Sequence, residues 1–130
     1  MNLNISKFKN VHPDLVRVIK RASTDLVDPH FGFVITCGQR TLEEQKKLLA
    51  VGATKTLNSR HIPGKDGYAK AIDLAVTIDG KVKWDWPLYL RLSKIIKAAA
   101  KAEKVQIEWG GDWIKFKDGP HFQLPKNIYP

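Results

Sequence analysis

The feature that most constrains the fold of this chain is a two-residue turn signal, Asp79-Gly80, between two short runs of strand-forming residues. Residues 69–78 alternate in the manner of a strand, and residues 81–84 resume after the turn. An Asp-Gly pair in this setting favours a tight hairpin, because both residues accept the positive φ that such a turn requires. The sequence therefore predicts an antiparallel sheet.

Three other segments predict helices. Residues 11–27 carry apolar side chains at helical spacing. Thr41 and Glu44 have the spacing of a capping box that begins a second helix, and Gly52 is suited to end it. Pro87 is suited to the first turn of a third helix, which also has an apolar face. The helices are long enough to cover one face of a small sheet.

Further strands are predicted at residues 31–37, which are aromatic and β-branched, and at residues 105–109 and 121–124. Residues 53–68 contain Gly, Pro, Asn and Asp without periodicity, which predicts a loop. We expect an α+β fold, with a small antiparallel sheet and helices packed on one face. The length of 130 residues is typical of a single domain.

The charge of the chain points to a polyanionic partner. It has 22 basic and 13 acidic residues, a net charge of +9, which suits nucleic acid, an anionic membrane surface or an acidic cell-wall polymer. No nucleic-acid-binding motif is visible, and no apolar run is long enough for stable membrane insertion. The N-terminal residues MNLNISKFKN show no signal peptide. The single cysteine, Cys37, excludes an internal disulfide and a cysteine zinc cluster.

Four polar residues in two separate segments suggest a catalytic site: His61 and Asp73, then Asp118 and His121. Two imidazoles and one carboxylate are a usual zinc ligand set in enzymes, leaving one position for water. Asp118, three residues before His121, is a candidate proton carrier separate from the metal. Spacing alone leaves other interpretations open, since each histidine could serve only in hydrogen bonding, and Asp118 lies in a turn-like Lys-Asp-Gly.

These segments, SRHIPGKDGYAKAID and DGPHF, resemble the D-alanyl-D-alanine carboxypeptidase-type zinc peptidases, and within them the L-alanyl-D-glutamate endopeptidases of phage endolysins. The family pattern Ser-x-His-x-x-Gly-x-Ala-x-Asp, followed by an acidic residue and a final His, is matched by Ser59, His61, Gly64, Ala71, Asp73, Asp118 and His121. The stretches GQRT and WGGDW also fit, so the resemblance covers residues 35–124. The chain departs from the pattern at residues 65–70, which form an insertion that costs little closure entropy.

The resemblance implies roles for particular residues. It implies that Zn²⁺ is held by His61, Asp73 and His121, and that Asp118 acts as general base and then general acid. It implies that Arg40 binds a substrate carboxylate or stabilises the oxyanion. We also expect substrate contacts from Gln39 and Trp109.

The resemblance implies that residues 1–130 form one zinc metallopeptidase domain that hydrolyses a peptide bond in peptidoglycan stem peptides. The expected enzyme is an L-alanyl-D-glutamate endopeptidase. A D-alanyl-D-alanine dipeptidase or carboxypeptidase is the alternative within the family, and a non-catalytic, basic cell-wall-binding module is the alternative from another class. We expect a monomer that acts on bacterial peptidoglycan, with no nucleic acid partner, and stays in the host cytoplasm until release to the wall.

Several neighbouring residues have open interpretations. Glu108 is a rival for the general base, although its strand position could direct it to solvent. Cys37 lies in a predicted buried strand and is expected to pack as a small apolar residue; a nucleophilic pair with His121 is the alternative. Trp113, like Trp109, flanks the glycine pair and could line the cleft or fill the core.

Overall fold

A computed structural model describes residues 3–54 and 59–130 of the chain. Within these ranges it contains three α-helices, α1 (Pro13–Asp25), α2 (Leu42–Ala50) and α3 (Trp86–Glu103). It also contains five strands, β1 (Phe31–Cys37), β2 (Ala71–Ile78), β3 (Lys81–Lys83), β4 (Glu108–Trp109) and β5 (His121–Gln123). Short 3₁₀ turns cover Ile5–Phe8 and Gly110–Asp112. Residues 55–58 of the predicted loop lie outside the described residues.

The five strands form one antiparallel sheet in which β2 is central. Strand β1 pairs with one edge of β2, while β3 and β5 share the other edge, and β4 pairs with β5. The hairpin between β2 and β3 is confirmed, with Asp79 and Gly80 at φ values of 51° and 81°. The predicted α+β fold with an antiparallel sheet is therefore confirmed.

The core lies between one face of the sheet and helices α1 and α3. Phe33 pairs with Val76, and Ile35 pairs with Leu74, so these side chains share one face. All four are buried, as are the apolar residues of the two helices, Leu15, Val18, Ile19, Ala22, Leu92, Ile96, Ala99 and Ala100. Because strand side chains alternate, the intervening residues of β1, β2 and β5 face away from these helices.

Helix α2 has a different environment from α1 and α3. Its capping box is present: the Thr41 hydroxyl accepts from the Glu44 N–H and the Glu44 carboxylate accepts from the Thr41 N–H, both at 3.1 Å. Its fully buried residue, Gln45, and Leu48 line a cleft rather than the apolar core. The cap therefore fixes where α2 begins, immediately after Arg40 at the edge of that cleft.

The predicted strand over residues 105–109 is shorter in the structure, where only Glu108 and Trp109 pair with β5. The reason is the end of α3. Lys104 has a positive φ of 59°, and the Val105 N–H donates to the Ala100 carbonyl at 2.9 Å. This closure of the helix uses residues that the pattern assigned to the strand.

Among the described residues, none of the helices has the length and apolar character needed to cross a membrane.

Candidate metal centre and active site

Strand register brings three polar positions together on the face of the sheet that is opposite α1 and α3. Asp73 of β2 pairs directly with His121 of β5. On its other side Asp73 pairs with Cys37 of β1, across an irregularity between Ile35 and Cys37. The neighbours of Asp73 along β2, Ile72 and Leu74, point into the core. The side chain of Asp73 is therefore directed to the opposite face by strand alternation.

The three predicted metal ligands meet at Asp73. One carboxylate oxygen of Asp73 lies 3.3 Å from Nε2 of His61, and the other lies 3.1 Å from Nδ1 of His121. The two imidazole rings are 5.2 Å apart between centroids. His61 comes from the loop before β2 and is held there by its backbone carbonyl, which accepts from the Arg40 N–H at 2.8 Å.

Each imidazole is oriented by a hydrogen bond at its other ring nitrogen. Nδ1 of His61 donates to the Gly38 carbonyl at 2.7 Å, because a carbonyl can only accept. Nε2 of His121 lies 2.8 Å from the Gln123 side-chain oxygen, and the Gln123 amide donates to Glu108 at 3.2 Å. Both rings therefore present their remaining nitrogen to Asp73, as in metal sites where an outer partner fixes the tautomer. No local pattern predicted the contact of Gly38 with His61, whereas Gln123 could have been found because it is two residues from His121 and shares its strand face.

The charges of this cluster are strongly coupled. Burial opposes the charged imidazolium of His61, but its hydrogen bonds to Asp73 and Cys37 outweigh this effect and raise its pKa to about 10. Burial also raises the pKa of Asp73, but hydrogen bonds from His121 and His61 prevail and hold that pKa well below its ordinary range. Without a metal, the site therefore contains an imidazolium beside a carboxylate.

Asp118 lies beside this cluster in the same cleft. Ligand atoms of Asp73, Asp118 and His121 all lie within 4.8 Å of one another. Burial of Asp118, together with the charge of Asp73, raises its pKa above the ordinary value. A carboxyl group with a raised pKa next to a reaction site is suited to proton transfer near neutral pH. Asp118 also occupies a turn, since its carbonyl accepts from the His121 N–H at 3.2 Å.

Gly110 leaves the space that this turn needs. A Cβ on Gly110 would lie 2.4 Å from the Asp118 carbonyl oxygen and 3.1 Å from the Cβ atoms of Asp118 and His121. We expect Gly110→Ala to displace the turn and reduce turnover by up to about 100-fold, the effect of misplacing catalytic groups by about 1 Å. Steady-state kinetics and thermal unfolding would test this. Gly64→Ala is the control, since its nearest atom beyond the chain neighbours is the flexible Lys70 Nζ at 3.4 Å. Full activity of Gly110→Ala would contradict the packing argument.

The cleft has a volume of about 360 Å³ and also contains Arg40 and Trp113. One guanidinium nitrogen of Arg40 donates to the Gln45 side-chain oxygen at 2.8 Å, and another donates to Cys37 Sγ at 3.3 Å. The ring of Trp113 lies 5.1 Å from the ring of His121. Arg40 is therefore held in a fixed orientation in the cleft, and Trp113 forms part of its wall.

Cys37 is not the apolar core residue that its strand position suggested. Because β1 is irregular before it, Cys37 aligns with Asp73, and its sulfur lies 3.7 Å from Nδ1 of His61. Burial raises the pKa of this thiol, but the hydrogen bond with His61 and the positive charges of His61 and Arg40 together outweigh that effect and leave the pKa lowered. Cys37 pairs with His61 rather than with His121, and it lines a separate surface pocket instead of the cleft that contains Asp118.

Two predicted substrate contacts lie away from the cleft. Gln39 lines the same separate pocket as Cys37, and its side-chain oxygen accepts from Asn10 at 3.1 Å. Trp109 is only 4% exposed, because it pairs with Phe122 on the core face of the sheet. Its indole N–H donates to the Gly119 carbonyl at 2.7 Å. Neither position supports direct contact with a substrate in the cleft.

Glu108, the rival for the general base, is exposed and reaches the site only through the Gln123 amide. It follows that Asp118, which lies within the cleft, is better placed to exchange a proton with a bound molecule. Glu108 instead helps to orient Gln123, and through it His121.

Known proteins are similar to this chain in sequence and in fold. The L-alanyl-D-glutamate peptidase of Listeria phage A118 is 42% identical over 85 residues, 65% of this chain and 27% of the phage protein. The peptidoglycan L-alanyl-D-glutamate endopeptidase CwlK of Bacillus subtilis is 35% identical over 102 residues, 72% of this chain and 61% of CwlK. The chain thus spans about a quarter of the phage relative and three fifths of the Bacillus relative.

The crystal structure of the Serratia marcescens L-Ala D-Glu endopeptidase ChiX resembles this structure with a TM-score of 0.86 and 35% sequence identity. The match covers 98% of this chain and 90% of the ChiX chain. The family model described as phage L-alanyl-D-glutamate peptidase matches residues 2–124, which include all the residues of the site. The chain therefore belongs to the phage L-alanyl-D-glutamate peptidase family.

Proposed function

We propose that this chain is a zinc-dependent endopeptidase that hydrolyses the L-alanyl-D-glutamate bond in the stem peptides of bacterial peptidoglycan. The observation that carries the proposal is the Asp73 carboxylate, which lies between His61 and His121 in a cleft that also contains Asp118 and Arg40. Membership of the peptidase family supports the choice of this bond over the D-alanyl-D-alanine bond.

The donor atoms suit zinc. Nε2 of His61, the Asp73 carboxylate and Nδ1 of His121 would hold the ion, because the other nitrogen of each ring is already hydrogen-bonded to Gly38 or Gln123. Two histidines and a carboxylate are a usual catalytic zinc set. When bound, the ion would supply Lewis-acid chemistry that lowers the pKa of water to about 7.

The proton transfers fall to Asp118. As the attacking water adds to the scissile carbonyl, the Asp118 carboxylate accepts a proton from it. The same carboxyl group then donates this proton to the leaving amine, so that the residue is ionised again at the end of the cycle. Its raised pKa supports both steps, because a base that releases its proton readily near neutral pH serves as both acceptor and donor.

Arg40 would stabilise the negative charge that develops on the carbonyl oxygen during attack. Its hydrogen bonds to Gln45 and Cys37 hold the guanidinium in place before substrate binds, which removes a reorganisation cost from the reaction. A guanidinium also forms strong charge-assisted hydrogen bonds to oxygen anions. Trp113, beside His121, would contact the substrate in place of Trp109.

Digestion of purified peptidoglycan, followed by mass analysis of the released peptides, tests the proposed bond. We expect new glutamate amino termini, loss of activity in a chelator and recovery on adding zinc. Release of D-alanine would instead identify a carboxypeptidase or dipeptidase. Wall binding without any cleavage would favour the basic binding module.

Zinc affinity should rise with pH. The metal-free His61 has a pKa of about 10, above its ordinary value of 6.5, so at neutral pH it carries a proton on the nitrogen that faces Asp73. Coordination requires a neutral imidazole, so binding must release that proton. We expect affinity to increase about tenfold per pH unit between roughly pH 6.5 and 8.5. Competition with a chelator would measure the affinity, and a pH-independent value across this range would contradict the prediction.

We also propose that the protein is made in the host cytoplasm and acts as a monomer when it reaches the cell wall. Membership of a phage peptidase family supports this order of events. The net charge of +9 supports it too, since a basic protein is attracted to anionic wall polymers. The attraction between exposed charges should weaken as salt increases.

A further inference from the structure

A second pocket adjoins the catalytic cleft and is basic. Its volume is about 590 Å³, and it shares Ser59, Arg60 and Gln123 with the cleft. Its other charged lining residues are Lys70 and Lys126, and no acidic residue lines it among the described residues. We name this cavity, defined by Arg60, Lys70 and Lys126, the basic pocket.

The three cations of the basic pocket differ in how well they are paired. Lys70 is buried, and its ammonium group contacts Asp66 at 2.8 Å, so its charge is already balanced. Lys126 is exposed, and the described residues offer it no ion pair. The unpaired positive charge of the pocket therefore belongs to Arg60 and Lys126.

Arg60 is incompletely satisfied by the protein. One of its terminal nitrogens donates to the carbonyls of Leu124 and Tyr129, at 2.7 and 2.8 Å. Its Nε is buried and has no hydrogen-bond partner in the described part of the chain, where no carboxylate forms an ion pair with Arg60. Burial accordingly lowers the pKa of this guanidinium. The charges of Glu108 and Asp66 act against that effect without direct contact. A partly buried cation with no carboxylate in ion-pair contact is costly, and an anionic ligand that touched it would offset that cost.

The proposed substrate carries an anionic group next to the bond that is cut. Glutamate has two carboxyl groups, and whichever one continues the chain leaves the other free. The alanine side chain on the opposite side of the bond is a neutral methyl group. A carboxylate on the glutamate half of the substrate is thus the group that a basic cavity beside the cleft would select.

We propose that the basic pocket binds the free carboxylate of the substrate's glutamate residue through Arg60 and Lys126. The inference rests on the proposed function, which supplies the glutamate. It also sets the direction of the substrate: the half that leaves as an amine lies toward Arg60, while Arg40 remains available for the scissile carbonyl. The pocket would then distinguish a substrate with a free glutamate carboxylate from one in which that carboxylate is an amide.

The test uses two stem peptides with amidated C-termini that differ only in the free glutamate carboxylate, which is a carboxamide in the second peptide. Their binding is measured by calorimetry on the zinc-loaded Asp118→Asn protein, so that neither peptide is consumed. We expect the acid to bind about 10- to 100-fold more tightly than the amide, the range for hydrogen bonds to a charged group. Lys126→Glu should reduce this ratio at least threefold and Arg60→Met should reduce it further.

Lys81→Glu is the control, because it makes the same charge change at an exposed lysine outside the pocket. Lys81 lies on β3, which pairs with the end of β2 that follows Asp73. It should leave the ratio unchanged. If Arg60→Met fails to fold, Lys126→Glu still decides the question, since Lys126 is exposed. Equal binding of acid and amide, or a ratio that Lys126→Glu and Lys81→Glu change equally, overturns the assignment. Carboxylate-dependent binding without cleavage by the unsubstituted enzyme would refute the proposed function and support the pocket assignment.

Discussion

Replacing Asp73 with alanine should abolish zinc binding and peptidase activity together. The two oxygens of this carboxylate contact His61 and His121. Its loss therefore removes a ligand and also the group that holds both imidazoles in position. We expect zinc affinity to fall by more than about 100-fold, the upper range for losing only an outer partner of a ligand. Activity should fall to background. Zinc content after dialysis and peptide turnover measure the two effects.

Asp73→Asn keeps the size of the side chain, so it tests whether a loss of zinc comes from misfolding or from the missing carboxylate. His61→Ala and His121→Ala should behave in the same way as Asp73→Ala. The matched control is Asp112→Ala, which removes an exposed carboxylate that pairs with Lys97 rather than with the site. A folded Asp73→Ala protein that retained one zinc per chain would show that the ion is held elsewhere.

Asp118→Asn should separate the proton carrier from the metal ligands. We expect it to retain zinc and lose turnover by about 10²- to 10⁴-fold, the usual contribution of general acid–base catalysis. The amide keeps the shape of the side chain but cannot accept the proton of water. Zinc content and turnover, measured on the same preparation, give the answer directly.

Two results would revise the role of Asp118. If Asp118→Asn lost zinc as the Asp73 variants do, Asp118 would be a ligand, a role its distance from Asp73 and His121 permits. If it retained full turnover, the base would lie elsewhere. Glu108→Gln is the control for that case, and we expect it to affect turnover only modestly, because Glu108 acts through Gln123.

Local sequence patterns predicted the elements whose interactions span only a few residues. The Asp79-Gly80 hairpin follows from the positive φ of two adjacent residues. The start of α2 follows from hydrogen bonds between Thr41 and Glu44. The C-terminal end of α3 was missed, since the left-handed conformation of Lys104 ends the helix there without a glycine to signal it.

The candidate site depended on a different kind of information. The residues His61, Asp73, Asp118 and His121 were found as an ordered motif, and their convergence in one cleft agrees with that hypothesis. The partners that orient them were not found. Gly38 begins the GQRT stretch, but that stretch did not predict its contact with His61, which arises because the loop folds back over the end of β1.

The sequence by itself determined the type of fold, the turn and cap positions, and the set of chemical groups available for a metal site. Only the tertiary structure decided which side chains contact that site: the Cys37 sulfur lies beside His61 at its edge, whereas Trp109 packs in the core. The physical reason is strand register. Side chains alternate between faces, and the irregularity in β1 and the pairing of Asp73 with His121, 48 residues away, are set by contacts that no local pattern contains.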